Sequence, residues 1–194
     1  MDKKLILVTS PPACGKTYVA KALAHELQHI VYLDKDTLIV LSKQIFKVAG
    51  QPYDRSSAFF QANIRDYEYD CVLALAMEAL DYDDIVLINA PFTQEVRDNA
   101  FIANLKAKLA EKGATLAVIS GEVVHQRMID RNSDRDTWKL THWDEYIKQC
   151  NFAIPENLAD PQHKDNLILF QNNNDEEFAA SMKKCVAILE DAEN

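Results

Sequence analysis

The chain has 194 residues, a formal net charge of −9, 48% hydrophobic and 26% charged residues, the composition of an ordinary globular protein long enough to bury one sizeable core. The acidic balance, with no dense Lys/Arg run, argues against a nucleic-acid track, and no apolar stretch approaches the roughly 20 residues that a membrane-spanning helix needs. Its four cysteines, Cys14, Cys71, Cys150 and Cys185, form no CxxC pair, which disfavours a zinc knuckle or a disulfide framework, so the expectation is a cytoplasmic protein acting on small substrates.

In chain order, Leu5, Ile6, Leu7 and Val8 read as a strand buried on both faces. A loop over residues 9–14 follows, and Val19, Ala20, Leu23, Ala24 and Leu27 then repeat at helical spacing, so that Lys16 and Thr17 open an amphipathic helix. A strand, a loop and a helix N-terminus in that order converge free backbone N–H groups and the positive end of the helix dipole on one spot, where phosphate fits. Gly15 lets the backbone approach a β-phosphate, Lys16 bridges β- and γ-phosphate oxygens, and the Thr17 hydroxyl ligates magnesium. The stretch resembles the P-loop, or Walker A, of nucleoside triphosphatases and small kinases. On that resemblance Ser10, Pro12, Ala13, Cys14, Gly15, Lys16, Thr17 and Tyr18 form the nucleotide cradle. Ser10 stands where the first glycine of GxxxxGK[ST] is expected, and Pro11 and Pro12 stiffen the turn. Cys14 beside a helix N-terminus tends toward thiolate, although a small residue in a tight loop explains it as well.

Residues 30–33 read as a second buried strand ending in Asp34-Lys35-Asp36-Thr37. Two carboxylates one residue apart on an extended segment point to the same side, which suits Asp36 to accept the proton of an alcohol nucleophile and Asp34 to support the metal. The alternative is that Asp34 ends the strand and Asp36 caps a helix from Thr37. Residues 38–83 look helical, broken at Gly50-Gln51-Pro52, with a helix over 68–80. A third strand over 85–88 ends in Asn89, where many P-loop proteins carry a metal-orienting Asp. Thr93 is a candidate N-cap for a helix running to Lys112 and closed by Gly113, with Arg97 either a substrate contact or a surface residue. Strand four covers 115–119. A helix from about Val123 carries Arg127 and Arg131, with Arg135 beyond a polar break, and a further helix holds Trp138, Trp143 and Ile147. Strand five covers 167–170, Asn172 to Asn174 follow, and a last helix from Asp175 turns Phe178, Met182 and Leu189 inward. Five apolar strands alternating with helices imply a parallel sheet with helices on both faces.

The order GKT, then DxD after strand two, then an arginine-bearing segment after strand four, resembles the shikimate kinase, chloramphenicol phosphotransferase and polynucleotide 5′-kinase group of small P-loop kinases. That resemblance implies a single domain over 1–194 with a three-layer fold and strand order 2-3-1-4-5. It implies ATP and Mg2+ as cofactors, an acceptor-binding region over 37–82 and a lid over 123–142. Asp36 is then the base, Arg127 and Arg131 bind the nucleotide, Arg135 stabilises the transferring phosphoryl group with Lys16, and Asn172 edges the adenine. The expected activity is phosphoryl transfer from ATP to a hydroxyl of a small acceptor. A regulatory ATPase without an acceptor and a polynucleotide 5′-kinase are the alternatives, and the missing NKxD guanine signature disfavours a GTPase. His25-Glu26-Leu27-Gln28-His29 also matches the HExxH string of zinc peptidases, but it falls at the end of the first helix, away from the strand C-termini, with no third ligand at zincin spacing.

Overall fold

The computed structural model describes residues 3–10, 15–121, 141–149, 158, 167–172 and 174–190. Five strands, β1 (Lys3–Thr9), β2 (Ile30–Asp34), β3 (Ile85–Asn89), β4 (Ala114–Gly121) and β5 (Leu167–Phe170), pair in parallel in the order 2-3-1-4-5, as the sequence predicts. The helices among the described residues are α1 (Lys16–Glu26), α2 (Ile39–Val48), α3 (Ala58–Asn63), α4 (Arg65–Ala79), α5 (Asn99–Glu111), α6 (Trp143–Gln149) and α7 (Asp175–Leu189).

The pleat sorts the apolar strand residues into two cores. Leu5 and Leu7, Val86 and Ile88, and Leu116 and Val118 face α4 and α5, where Tyr69, Val72, Ala76, Ile102, Leu105 and Leu109 meet them. Ile6 and Val8, Ile85 and Leu87, and Ala117 and Ile119 face α1 and α7, against Val19, Leu23, Cys185 and Leu189. Because β1, β3 and β4 are covered on both sides, they carry unbroken apolar runs, which is why they are legible in the sequence. Burial also pushes the Cys185 thiol up to about 12, so it is an inert packing group.

Three local expectations are corrected. The helix expected from Thr93 begins at Asn99, where the Asp98 carboxylate accepts from Ala100 N at 2.8 Å, and a short 3-10 turn (Glu95–Arg97) precedes it because Phe92 and Val96 are drawn into the core. Its C-terminus is as expected, with Gly113 left-handed at φ 65°. The helix expected from Glu68 starts at Arg65. In the HExxH stretch, α1 ends at Glu26 and His29 lies beyond it at φ 51°, so the two exposed histidines do not share a helix face. Among the described residues no three His, Cys, Asp or Glu gather as a metal cluster, and no helix is long and apolar enough to cross a membrane.

Candidate functional site

The parity that builds the core also builds the site. On β3, Asn89 falls in the alternation of Ile85 and Leu87, and on β2, Asp34 falls in that of Ile30 and Tyr32, so all of these point to the α1 face. Asp34 and Asn89 are direct register partners at the C-terminal ends of their strands, next to Val8 of β1. Open parallel sheets bind ligands at that edge.

From the other side comes the start of α1. Gly15 caps the helix at φ 75°, ψ 15°, a left-handed conformation that glycine adopts without a Cβ penalty, and its carbonyl accepts from Val19 N at 3.0 Å. Lys16 and Thr17, in the first turn, meet the strand ends. Lys16 Nζ donates to Asn89 Oδ1, while Asn89 Nδ2 lies 2.9 Å from Asp34 Oδ2, 3.1 Å from the Tyr32 hydroxyl and 3.3 Å from Thr17 Oγ1. The amide orientation is fixed by its neighbours, because an ammonium can only donate and an ionised carboxylate can only accept. Tyr32 donates to Asp34 Oδ2 at 3.1 Å, and burial, with the Asp34 charge beside it, pushes the phenol up to about 12. Neither Asn89 as the hub nor Tyr32 as its partner was read from the sequence as a site member.

The segment after β2 departs from expectation. It is not extended: a 3-10 turn (Lys35–Leu38) begins at once, and Asp34 is its cap, with Oδ1 accepting from Asp36 N at 2.9 Å. The capping role considered for Asp36 therefore belongs to Asp34, and the two carboxylates are not held parallel by a strand. Asp36 is exposed on this turn, and its carboxylate has no hydrogen bond among the described residues. Between them Lys35 turns inward to the opposite face, where its ammonium lies 2.6 Å from Glu68 Oε2 and 5.1 Å from the centre of the Tyr69 ring.

Glu68 gathers the elements on that side. Arg55 donates to both its oxygens at 2.8 Å, and Ser42 Oγ donates to Oε1. Burial works to raise the Glu68 carboxyl, but the hydrogen bonds from Arg55, Lys35 and Ser42 outweigh it and hold the group below its ordinary 4.5. Arg65 is likewise engaged, donating to Glu95 at 2.6 Å and to Asp66 at 2.8 Å, with its guanidinium 4.7 Å from the Tyr69 ring. Arg55 and Arg65 are thus structural ties. Tyr53 packs edge-on against Phe46 at 5.3 Å, and Tyr67 is exposed.

Tyr18 is exposed and its ring lies 5.0 Å from Phe178, which in turn meets Phe170 edge-on at 5.4 Å, linking α1, α7 and the end of β5. Just past β5, Asn172 is fully buried and neither polar atom of its amide has a hydrogen-bond partner. That amide sits against the helix cap: a Cβ on Gly15 would lie 2.7 Å from Asn172 Nδ2. Ser10 is buried after β1. Pro12, Ala13, Cys14, Arg127, Arg131 and Arg135 lie outside the described residues.

These groups fit a nucleoside triphosphate with Mg2+. Lys16 and the α1 N-terminus supply positive charge, Gly15 leaves open the cradle that a side chain would fill, and Thr17 Oγ1 and Asp34 are hard oxygen donors one Asn89 apart.

No family profile and no curated protein matches the chain. Solved structures do. A "putative kinase" from Chloroflexus aurantiacus superposes with a TM-score of 0.58 at 17% identity, covering 100% of both chains. Kti12 of Chaetomium thermophilum, in complex with ADP-AlF3, gives 0.54 at 19% identity over 93% of this chain and 96% of its own. The tunicamycin resistance protein of Deinococcus radiodurans gives 0.52 at 14% identity over 96% and 95%. The chain has a P-loop kinase-like fold.

Proposed function

We propose that the protein is an ATP-dependent phosphotransferase that moves the γ-phosphoryl group to a hydroxyl of a small-molecule acceptor with the help of Mg2+. The observation that carries this reading is the convergence of Lys16, Thr17, Asn89 and Asp34 at the C-terminal rim of the sheet, beside a left-handed glycine at the helix N-terminus. Lys16 would release Asn89 and bind phosphate oxygens, and Thr17 with Asp34 would hold the magnesium shell, which neutralises charge developing on the transferred group. Asp36, on the turn after β2 with its carboxylate uncommitted, would accept the acceptor's proton. The helices over 37–82 would seat the acceptor. Arg127, Arg131 and Arg135, within the segment 123–142, would close over the nucleotide and exclude water, which keeps transfer ahead of hydrolysis. A nucleic-acid acceptor ranks behind small molecules because the chain is acidic.

A second reading, a nucleotide-dependent regulator without an acceptor, has one observation in its favour: α2 exposes Val40, Leu41, Ile45 and Val48 on its outer side, a surface suited to a protein partner. The two readings separate on one experiment. Incubation with labelled ATP, Mg2+ and a panel of sugars, nucleosides and other alcohols yields labelled ester if the protein is a kinase. Asp36→Ala then keeps ATP affinity and loses transfer by about 100-fold or more. Slow hydrolysis that ignores both the panel and Asp36→Ala establishes the regulator.

A further inference from the structure

A buried amide with no hydrogen-bond partner costs on the order of 1–3 kcal/mol, and native proteins keep few of them. Asn172 is such a group twice over, since both its Oδ1 and Nδ2 are buried and unsatisfied while the residue itself is fully inaccessible. It stands two residues past Phe170, which is buried against Phe178. The fold nevertheless anchors this short segment firmly, because the neighbouring Gln171 N donates to Ser181 Oγ at 3.0 Å. The amide is therefore held in place by its backbone, and what lies in front of it is Gly15, close enough that any side chain there would collide.

Gly15 caps the helix whose free N–H groups form the anion-binding end of the proposed site. We propose that Asn172 is a polyphosphate-binding residue, with Nδ2 donating to an oxygen of the nucleotide's phosphate chain where that chain crosses Gly15. This rests on the phosphate-binding reading above and deepens it. It assigns to the loop after β5 a contact with the phosphates, where the sequence pointed to the adenine edge. It also explains why an amide that destabilises the ligand-free protein is retained, since its donor is satisfied only when an anion is seated.

The test uses the full chain with ADP, inorganic tripolyphosphate and adenosine, titrated by calorimetry against wild type, Asn172→Ala and Asn172→Asp, with thermal melts of each protein alone. The expected result is that Asn172→Ala melts no lower than wild type, because an unsatisfied group has been removed, yet binds ADP and tripolyphosphate about tenfold more weakly. Asn172→Asp keeps the shape but sets a carboxylate against the phosphates and binds both more weakly still. Adenosine binding is unchanged in either variant. Wild-type affinity for tripolyphosphate in Asn172→Ala overturns the proposal, and so does a parallel loss of adenosine affinity or of ligand-free stability. If wild type binds ADP and transfers nothing, the kinase reading fails while Asn172 keeps this role; if wild type binds neither ADP nor tripolyphosphate, both fail.

Discussion

An asparagine at the tip of β3 can satisfy two opposite demands that a carboxylate could not, since its amide accepts from Lys16 and donates to Asp34 in one plane. This places an ammonium and a carboxylate on opposite ends of one amide, within reach of ligands of opposite sign. The neighbouring Gly15 is fixed by two independent constraints, its φ of 75° and Asn172, whose Nδ2 would lie 2.7 Å from any Cβ placed there. Gly15→Ala is expected to lower stability by about 2 kcal/mol from the backbone alone. In a double-mutant cycle, Asn172→Ala should return the steric part and leave the backbone part, which urea melts of the four proteins would resolve. Gly15, Lys16 and Thr17 were legible in the sequence because the motif is local. Tyr32 and Glu68 were not, and Asn89 was legible only as a strand-end position, because their roles depend on partners far along the chain: Asn89 lies 73 residues from Lys16 and 57 from Tyr32, and Glu68 lies 33 from Lys35.

Among the elements, the turn after β2 is held from both faces. Asp34 ties it to β3 and α1, and Lys35 ties it to α4 through Glu68, while Arg55 and Ser42 bring the loop after α2 and α2 itself to the same carboxylate. Glu68→Ala would strand the buried Lys35 ammonium, an effect of about 3–5 kcal/mol that lowers the melting midpoint by roughly 6–20 °C in differential scanning fluorimetry. The Glu68 carboxyl titrates below 4.5 in the folded protein, so its stabilisation is complete above that pH and is lost as the pH falls through the depressed value. A Glu68→Gln variant should therefore show a flatter stability profile below pH 4.5 than wild type. The strands and most helices could be placed from apolar periodicity alone, whereas the start of α5 could not. Thr93 and Asp98 are both competent caps, and what decides between them is the burial of Phe92 and Val96, a tertiary event.

Across the whole molecule, two polar clusters divide between the two faces of one sheet. The α1 face carries Lys16, Thr17, Tyr32, Asp34 and Asn89, and the α4 face carries the Lys35–Glu68–Arg55 cluster. The outer side of α2 belongs to neither cluster, so Leu41→Gln with Ile45→Gln should leave stability within about 0.5 kcal/mol per site. Loss of activity in that variant, read by the labelled-ATP assay, would point instead to a working surface on α2. The division also makes the site sensitive to counting. Inserting or deleting one residue inside β2, between Ile30 and Asp34, would exchange the sides of Leu33 and Asp34 while the strand kept its apolar character and its place at the sheet edge. A chain altered that way could still fold around its neighbours and yet present a leucine to the proposed phosphate site, so an odd-length indel there is expected to abolish nucleotide binding where an even-length one need not.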